Sequence, residues 1–377
     1  MALWVVSDFH LADATVLPMF HESRQGKAIV SLCERIGAER DGELVLLGDV
    51  FDLTGMAPPI RGLSKFGRKM GISLDDRPVR SPIELCTAAR PLHGATLHAL
   101  AELSKHRKIT LVPGNHDHAF GDVDGRAALD AAGLERIELA PQVVRTIADR
   151  TVVMQHGHEL DDDNAQAGGS GEALTQVVHH AVVPMLEKLP IRANVRIDPG
   201  RIVLLRPEER VVPVLERWLR PDQFSRFVDA LLDLMVDVGA LSRIEAWLAT
   251  PERLRSKLKN ADDLWEDTGK RARAVLAGTK PSIRPSPRAD LLVLGHTHVP
   301  DWSLEDCDGG ERLYVNLGSW TDRATDAVGP YDDTLPMLRI GDDARGLRAT
   351  LEELASGEVL QSFDEAHVSG RAAAALP

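Results

Sequence analysis

The sequence predicts a layered α/β fold with a helical insertion, and three observations support this prediction. Short apolar or β-branched runs, typical of buried strands, each end at a cluster of Asp, His, Asn or Gly residues. Segments with helical spacing, Gln25 to Glu39 and Leu92 to His106, alternate with the first of these runs. From about Asp161 to Pro287 the chain instead carries long amphipathic segments without convincing strands.

The predicted strands fall into two groups along the chain. Those that end at a polar motif are Leu3 to Ser7, Glu43 to Leu47, Lys108 to Pro113, Thr151 to Gln155 and Leu291 to Leu294. Those that follow Pro300, and that we expect to form the second half of a sandwich, are Asp301 to Leu304, Glu311 to Leu317, Leu335 to Ile340 and Leu347 to Leu351. Polar sites of layered α/β folds gather in loops at the carboxyl ends of strands, so the motifs are expected to meet.

These patterns divide the chain into four parts. They are a first half of the core (1–160), a helical insertion or cap (161–287), a second half of the core (288–355) and a flexible tail (356–377), whose Ala-rich end, Gly370 to Pro377, is expected to be disordered. The segment Gly168-Gly169-Ser170-Gly171 and the segment Pro281 to Pro287 bound the insertion. Its apolar stripes, in Val177 to Leu189 and Gln223 to Leu241, are expected to pack as core rather than face lipid.

Composition narrows the class of protein. The chain has 377 residues and a net charge of −13, which argues against broad nucleic-acid binding and a stable nucleic-acid partner. Three cysteines far apart disfavour a disulfide framework and fit a reducing compartment. No signal peptide is expected, because cleavage would remove Asp8 and His10, and the apolar runs are too short to span a bilayer. We therefore expect a cytoplasmic protein, with peripheral membrane association as the alternative.

One basic segment departs from this acidic balance. Six Lys and Arg residues lie between Arg61 and Arg80, in a stretch rich in Gly and Pro that has no clean period. We expect a long solvated loop there, with contact to a phosphate or an anionic substrate as the alternative.

Five segments carry the chemistry. They are Asp8-Phe9-His10, Gly48-Asp49-Val50-Phe51-Asp52, Gly114-Asn115-His116-Asp117, His156-Gly157-His158 and Gly295-His296-Thr297-His298. Side chains two apart in an extended segment point the same way, so each Asp-x-His or His-x-His pair is expected to converge on one ion. The candidate metal ligands are Asp8, His10, Asp49, Asn115, His156, His296 and His298.

This ligand set predicts two divalent metal ions. Carboxylate, amide and imidazole ligands suit Mn²⁺, Fe or Zn²⁺ better than Ca²⁺, and we expect Mn²⁺ first. Asp49 can bridge the two ions with its two oxygens. Two ions roughly 3.5–4 Å apart would lower the pKa of a shared water, and a bridging hydroxide would then be the nucleophile.

Two further residues are candidates for proton transfer. His116 directly follows the candidate ligand Asn115 and is therefore free to protonate a leaving oxygen. Asp52, three residues after Asp49, can hold the His116 ring. The predicted catalytic residues are thus His116 and Asp52.

The motifs Asp8-x-His10, Gly48-Asp49-x-x-Asp52, Gly114-Asn115-His116-Asp117, His156 and Gly295-His296-x-His298 resemble the signature of calcineurin-like metallophosphoesterases. The resemblance covers about residues 1–160 and 288–340 and implies a four-layer α/β/β/α sandwich with two metals. It also implies His116 as catalytic acid and two ligand sets, Asp8, His10, Asp49 and His298 for one ion, and Asp49, Asn115, His156 and His296 for the other.

Within this superfamily the segments Ser7 to Leu11 and Gly48 to Asp52 are similar to bacterial enzymes that hydrolyse UDP-2,3-diacylglucosamine, a lipid A precursor. His158 departs from their usual His-Gly-Asp. Protein Ser/Thr phosphatases of the superfamily have Arg directly after the second Asp of the Gly-Asp motif, where this chain has Leu53, so that activity is disfavoured.

These observations predict a metal-dependent hydrolase of small-molecule or lipid-linked phosphoesters, in which the insertion shapes the pocket. The first alternative is a metal-binding scaffold without turnover, which would have no need for His116. A nuclease is the second alternative, and only the segment Arg61 to Arg80 favours it. The apolar insertion is also a candidate homodimer surface.

Overall fold

The computed structural model describes residues 2–59, 61–162, 164–165, 167–189, 211–239, 241, 261–279, 288–307, 310–321, 323–324, 331–332, 334–343 and 346–364. Its strands are β1 Ala2–Val6, β2 Gly42–Leu47, β3 Ile109–Val112, β4 Glu138–Leu139, β5 Val143–Ile147, β6 Arg150–Met154, β7 Leu291–Leu294, β8 Pro300–Cys307, β9 Gly310–Leu317, β10 Arg323–Ala324, β11 Tyr331–Asp332, β12 Pro336–Asp343, β13 Gly346–Glu353 and β14 Val359–Asp364.

The helices divide between the core and the predicted insertion. Those before residue 140 are α1 Lys27–Ala38, α2 Leu53–Met56, α3 Leu63–Met70, α4 Pro82–Ala89, α5 Gly94–Leu103 and α6 Gly125–Ala131. Those after it are α7 Ser170–Val177, α8 Val183–Lys188, α9 Val211–Trp218, α10 Pro221–Asp237 and α11 Ala261–Leu276. A wider π-type turn, Val178–Val182, joins α7 to α8 and lets Pro184, which has no N–H to donate, follow within the same helical segment.

Two sheets form the centre of the molecule. The first has the strand order β14-β13-β12-β1-β2-β3-β4, and the second has the order β5-β6-β7-β9-β8. In the first sheet β1, β2, β3 and β4 run parallel, whereas β12 joins β1 antiparallel. In the second, β6, β7 and β9 are parallel. Because parallel strands end at the same edge, each sheet presents several strand ends together.

The side chains of β1 show how the layers pack. Leu3 and Val5 lie in the apolar cluster between the two sheets, together with Val152 and Val293 of the second sheet. Trp4 and Val6 point to the other face, where they join the apolar side chains of α1, α4, α5 and α6. On the outer face of the second sheet, Leu292 and Tyr314 contact Ala272 and Leu276 of α11. The structure thus confirms the predicted four-layer α/β/β/α sandwich.

Two features differ from the predicted division of the core. The prediction grouped the four strands after Pro300 together, but only β8 and β9 belong to the second sheet, whereas β12 and β13 return to the first sheet beside β1. The helix α11 lies within the predicted insertion range but forms the outer layer of the core. Sequence order does not reveal such crossovers, because they depend on contacts between distant segments.

The tail from residue 356 was also predicted wrongly in part. β14, Val359–Asp364, pairs antiparallel with β13 and forms the edge of the first sheet. Its mixed polar and apolar residues, half of them exposed, suit an edge strand and hide the signal that a buried strand would show. The Ala-rich end, Gly370 to Pro377, and the predicted boundary Pro281 to Pro287 lie outside the described residues.

The described helices of the insertion have a core of their own. Apolar side chains of α7, α8, α9 and α10 bury one another, with Val177, Leu215 and Phe227 fully enclosed. The prediction that the apolar stripes in Val177 to Leu189 and Gln223 to Leu241 form core agrees with these contacts. Among the described residues, no helix is both long and apolar enough to cross a membrane.

The basic segment Arg61 to Arg80, predicted as a loop, contains the helix α3. Leu63, Phe66 and Met70 line one face of α3 and enter the insertion core, which provides the burial that stabilises so short a helix. Flanking glycines and the helix length of eight residues explain why the sequence pattern did not reveal it.

Most cations of this segment bind protein groups. Lys65 Nζ lies 3.0 Å from Asp237 Oδ2 and 3.1 Å from Asp233 Oδ2 in α10, and Lys69 Nζ lies 2.7 Å from the same Asp233 oxygen. Arg61 donates to the Asp237 carbonyl at 2.8 Å, and Arg80 pairs with Asp13 at 2.6 Å. The pairs of Lys65 and Lys69 connect α3 to the insertion, and all of these contacts reduce the positive charge available for an anionic ligand.

We expect apolar burial to dominate this connection. Replacing Phe66, which is 1% exposed, with Ala should destabilise the protein by about 3–5 kcal/mol. Lys65→Ala removes the ion pairs of a side chain that is itself 43% exposed and should cost less than about 1 kcal/mol. Urea denaturation of the two variants measures both values. Equal losses would show that charge pairing holds α3 to the insertion.

Candidate metal centre

The five polar segments meet where the strands of the two sheets end. Asp8 and His10 follow β1, Asp49 follows β2 and Asn115 follows β3 in the first sheet, while His156 follows β6 and the pair His296 and His298 follows β7 in the second. The common direction of these strands explains the convergence. The structure brings together all nine residues predicted as ligands or catalytic groups.

The route to convergence differs from the one predicted. Asp8, His10 and Asp49 do not continue their strands in extended conformation but have φ angles of 58°, 53° and 52°. His296 and His298 have φ angles of 72° and 58°. This left-handed conformation costs an L residue roughly 1–2 kcal/mol. Five of the seven candidate ligands therefore lie in a strained backbone, which is a common property of functional sites.

Hydrogen bonds between neighbouring loops maintain this backbone. The Asp8 N–H donates to the Gly48 carbonyl at 3.0 Å, and the His10 N–H donates to the Asp49 carbonyl at 2.9 Å. The Leu11 N–H donates to the Val50 carbonyl, and the Asp52 N–H donates to the Leu11 carbonyl. The loops after β1 and β2 thus support each other in a conformation that neither would adopt alone.

Asp117 joins the loops after β2 and β3. Its fully buried carboxylate accepts N–H bonds from Gly114 at 2.7 Å, Val50 at 2.7 Å, Phe51 at 3.2 Å and Asp49 at 3.3 Å. Asp117 belongs to the motif Gly114-Asn115-His116-Asp117, but the motif alone predicts no role for it. It aligns the backbone that carries Asp49 with the one that carries Asn115.

Two motif glycines are required by close approach. A Cβ at Gly114 would lie 2.1 Å from Asp49 Oδ1, and a Cβ at Gly48 would lie 2.2 Å from His156 Nδ1. Any larger residue would displace a candidate ligand. Gly48 also has a φ angle of 86°, which favours glycine by itself.

The first group of candidate ligands is Asp8, His10, Asp49 and His298, whose ligand atoms all lie within 4.8 Å of one another. His298 Nε2 is 3.2 Å from Asp8 Oδ1 and 3.3 Å from His10 Nε2. Asp8 Oδ1 is buried, and the orientation of its contact with His298 does not make a hydrogen bond. Burial and neighbouring His116 lower the pKa of His10 to about 3, so its imidazole is neutral and can offer a lone pair. A cation would satisfy these atoms.

The second group is Asp49, His156 and His296, together with the side chain of Asn115. Asn115 Oδ1 lies 3.2 Å from His156 Nε2 and 3.0 Å from His296 Nδ1. Asp49 Oδ2 lies 3.1 Å from His156 Nε2. Since His156 Nδ1–H donates to the Leu47 carbonyl at 2.8 Å, neutral His156 presents a lone pair to two oxygen acceptors.

Electrostatics indicate that this group requires positive charge. Burial lowers the pKa of His156, but Asp49 and Asp8 outweigh burial and raise it to about 10. Burial likewise raises the pKa of Asp49, yet His156 and His116 hold it well below its usual range. The cluster therefore favours a cation among ionised carboxylates, and this donor set fits a divalent metal.

His116 and Asp52 form a hydrogen-bonded pair beside the first group. His116 Nδ1 lies 2.8 Å from Asp52 Oδ1, which also accepts the Gly55 N–H at 2.8 Å. The His116 ring contacts the His10 ring edge-on, with centroids 4.5 Å apart. The backbone N–H of His116 donates to Asp49 Oδ1 at 2.8 Å, and this bond connects the pair to the candidate metal ligands.

Residues from the predicted insertion complete the site, and sequence reasoning assigned them no role. His179 Nε2 lies 3.9 Å from Asp52 Oδ2. Asp161 and Asn164 contact His296 and Asn115. The acidic run Asp161-Asp162-Asp163-Asn164 marks a polar segment but does not indicate these contacts, since they depend on how the insertion folds back on the core.

A small polar cavity of about 20 Å³ adjoins the second group and is lined by Asn115, His118, His158, Asn164, Ala167 and Glu172. His118 Nε2 lies 3.3 Å from Glu172 Oε2 of α7, so the insertion closes one side of this cavity. Burial lowers the pKa of His158 to about 3, which keeps its ring neutral.

A profile of the calcineurin-like phosphoesterase family matches residues 1–300. The chain belongs to this family. Family membership implies metal-dependent hydrolysis of phosphoesters, and the two histidine–aspartate groups described above could hold the metal. A search of curated proteins returned no match for this calcineurin-like phosphoesterase.

Solved structures similar to this calcineurin-like phosphoesterase are distant. Vps29 from Entamoeba histolytica in complex with Zn²⁺ is 12% identical, covers 97% of this chain and 99% of its own, and has a TM-score of 0.33. A Streptococcus pneumoniae protein described as a predicted phosphoesterase is 12% identical, with coverage of 96% and 97% and a TM-score of 0.31. GAP50, the anchor in the inner membrane complex of Plasmodium, is 11% identical, with coverage of 100% and 95% and a TM-score of 0.36.

The left-handed backbone at the ligands leads to a stability prediction. In metal-free protein, the free energy of unfolding of His298→Gly should exceed that of His298→Ala by about 1 kcal/mol, because glycine adopts a φ angle of 58° without strain. The Gly variant should therefore unfold at a higher denaturant concentration. Both variants remove the imidazole, so the comparison isolates the backbone. An Ala variant at least as stable as the Gly variant would show that His298 is not strained.

Proposed function

We propose that this protein is a phosphoester hydrolase that works with two divalent metal ions, Mn²⁺ foremost, held at the carboxyl ends of the strands. One ion would bind Asp8, His10, Asp49 and His298, and the other Asp49, Asn115, His156 and His296. The observation that carries the proposal is the position of Asp49, whose Oδ2 lies 3.1 Å from His156 Nε2 and 3.7 Å from His10 Nε2. One carboxylate is thus shared by two groups of ligands.

The bound ions would lower the pKa of a water molecule to make a hydroxide nucleophile and would neutralise charge on the phosphate. The protein residues have separate tasks. Asp49 Oδ2 faces both ligand groups, while Asp49 Oδ1 accepts the backbone N–H of His116 and so sets the position of His116 relative to the ions. The neutral His10 ring packs between His116 and His298 and keeps their rings apart.

His116 acts as the general acid in this proposal. Asp52 accepts the Nδ1–H of His116 and orients the ring, so that a protonated His116 can donate its Nε2 proton to the leaving oxygen. Asp52 is 1% exposed and is itself held by the Gly55 N–H, so it keeps the ring in one orientation. A metal-binding scaffold without turnover would not need this pair.

A small soluble phosphoester is the first candidate substrate, because polar side chains surround the second ligand group. The cavity beside Asn115 is lined by Asn115, His118, His158, Asn164 and Glu172 and has room for roughly one water molecule, so a phosphoester would have to bind outside it. A nuclease is disfavoured, because the net charge is −13 and four cations of the segment Arg61 to Arg80 bind protein groups.

A lipid-linked pyrophosphate of the UDP-diacylglucosamine type is the second candidate, and one observation favours it. A cleft of about 590 Å³ lies between the insertion and the core, and its lining combines Val16, Leu17 and Val183 with charged side chains that include Arg77 and Lys188. Since His179 also lines this cleft and approaches Asp52, a substrate with both apolar and anionic parts would lie near the proposed acid.

A substrate panel with Mn²⁺-loaded protein tests the proposal. Aryl monoesters, aryl diesters, nucleotide pyrophosphates and UDP-sugar lipids are assayed in parallel. Turnover of the soluble esters supports the first candidate, whereas selective turnover of the UDP-sugar lipid supports the second. No turnover of any phosphoester by protein that binds two metal ions would favour the scaffold.

Asp49→Ala should remove activity and weaken binding of both ions, because both groups lose a ligand. Metal content after gel filtration and turnover of an aryl phosphoester check this prediction together. Asp149→Ala, which replaces an acidic residue of the β5–β6 turn outside the site, is the matched control and should retain both properties. Wild-type turnover by the Asp49 variant would refute a shared bridging ligand.

His116→Ala should retain the metal ions but reduce kcat by about 10²–10⁴-fold for esters with poor leaving groups. The loss should be smaller for esters with good leaving groups, which need less protonation. His106→Ala, which changes an exposed histidine outside the site, should leave the rates unchanged. The same loss for good and poor leaving groups would contradict an acid role for His116.

A further inference from the structure

A ring of hydrogen bonds connects the start of the insertion to the second ligand group. His296 Nε2 lies 3.0 Å from Asp161 Oδ2, and Asn164 Nδ2 donates to the same oxygen at 2.8 Å. Asn164 Oδ1 in turn accepts from Asn115 Nδ2 at 3.4 Å. Asn115 Oδ1 closes the ring at His296 Nδ1, 3.0 Å away.

Asp161 determines which nitrogen of His296 can bind a metal ion. Both ring nitrogens face oxygen acceptors, but a neutral imidazole has only one N–H. The bond to the carboxylate of Asp161 is the stronger of the two because its acceptor is charged. The proton therefore resides on Nε2, and the lone pair of Nδ1 faces the point where Asn115 and His156 converge.

Asn164 has the corresponding effect on Asn115. A side-chain amide presents either an oxygen or an NH₂ group, and only the oxygen can bind a cation. By accepting from Asn115 Nδ2, Asn164 turns Oδ1 of Asn115 towards the two histidines. Asn164 is itself held closely, since a Cβ at Gly171 of α7 would lie 2.2 Å from Asn164 Oδ1.

The first ligand group receives different support. His298 Nε2 faces Asp8 and His10, and the buried His10 Nδ1 has no hydrogen-bond partner among the described residues. The ring formed by Asp161 and Asn164 therefore acts on one metal position and not on the other.

We propose that Asp161 and Asn164 are positioning residues that set the affinity of the second metal ion, so that the insertion controls whether the centre is dinuclear. This inference rests on the two-metal function proposed above. Neither residue belongs to the proposed ligand set, and both act through a ligand that they orient. Since α7 packs against Asn164, movement of the insertion would change the orientation of ligands at the second metal position and not at the first.

Titration of metal-free protein with Mn²⁺ tests the proposal by calorimetry and by the electron paramagnetic resonance signal of spin-coupled Mn²⁺ pairs. Asp161→Ala should weaken the second binding event by about 10–100-fold and leave the first unchanged. At a Mn²⁺ concentration that saturates both sites of the wild type, the variant should show mainly the signal of isolated Mn²⁺. Asp161→Asn retains an acceptor oxygen and should recover part of the loss.

Asp162→Ala is the matched control. It removes the same charge one residue away, but Asp162 is 84% exposed and pairs with Arg271, which also binds the Leu160 carbonyl. Both binding events should stay as in the wild type. Asn164→Ala provides a second test, with a smaller loss expected at the second event, because the bond between Asp161 and His296 remains. Circular dichroism checks that each variant is folded.

The outcomes separate the two proposals. Two unchanged binding events in both Asp161→Ala and Asn164→Ala would overturn the positioning role and leave the two-metal function intact. Equal weakening of both events would overturn the selectivity for the second ion. Wild-type protein that binds a single ion would overturn the two-metal function, and the positioning proposal with it.

Discussion

The site depends on the hydrogen bonds that the buried carboxylate of Asp117 accepts from the backbone. Four N–H groups from the loops after β2 and β3 converge on its two oxygens. Leaving any one of these N–H groups buried without an acceptor would destabilise the folded protein by about 1–3 kcal/mol. The carboxylate therefore holds both loops in one arrangement. That arrangement places Asp49 where the two ligand groups can share it. Asp117 contacts no candidate metal position itself, yet the geometry of the centre follows from it.

Strain and charge at this centre oppose folding and are balanced by neighbouring contacts. Left-handed backbone at Asp8, His10 and Asp49 is compensated by the ladder of hydrogen bonds between adjacent loops. Buried Asp8 and Asp49 also repel each other, and cations between them would remove that repulsion. The metal-free protein is therefore less stable than its apolar core alone would suggest, and binding of metal would stabilise the folded state.

The insertion contributes to the site at two separate places. Asp161 and Asn164 contact the second ligand group, and His179 approaches Asp52, which holds the proposed acid. The helix α3 connects the core to the insertion through Leu63 and Phe66. Burial of such apolar side chains is expected to stabilise the connection more than exposed polar pairs do, so the polar contacts at the site need only orient side chains.

The sequence by itself determined the fold class, the strands that end at polar motifs and the identity of the nine candidate site residues. It could do so because buried parallel strands are continuous apolar runs, and because their carboxyl ends must share an edge. The helix α3 and the edge strand β14 were beyond its reach, since each is short and is stabilised by partners distant in sequence. Only the tertiary structure decided that Asp8 and His298 lie in left-handed backbone, and that Asp161 and His179 reach the site from the insertion. These features arise from contacts between residues far apart in the chain, which no local pattern encodes.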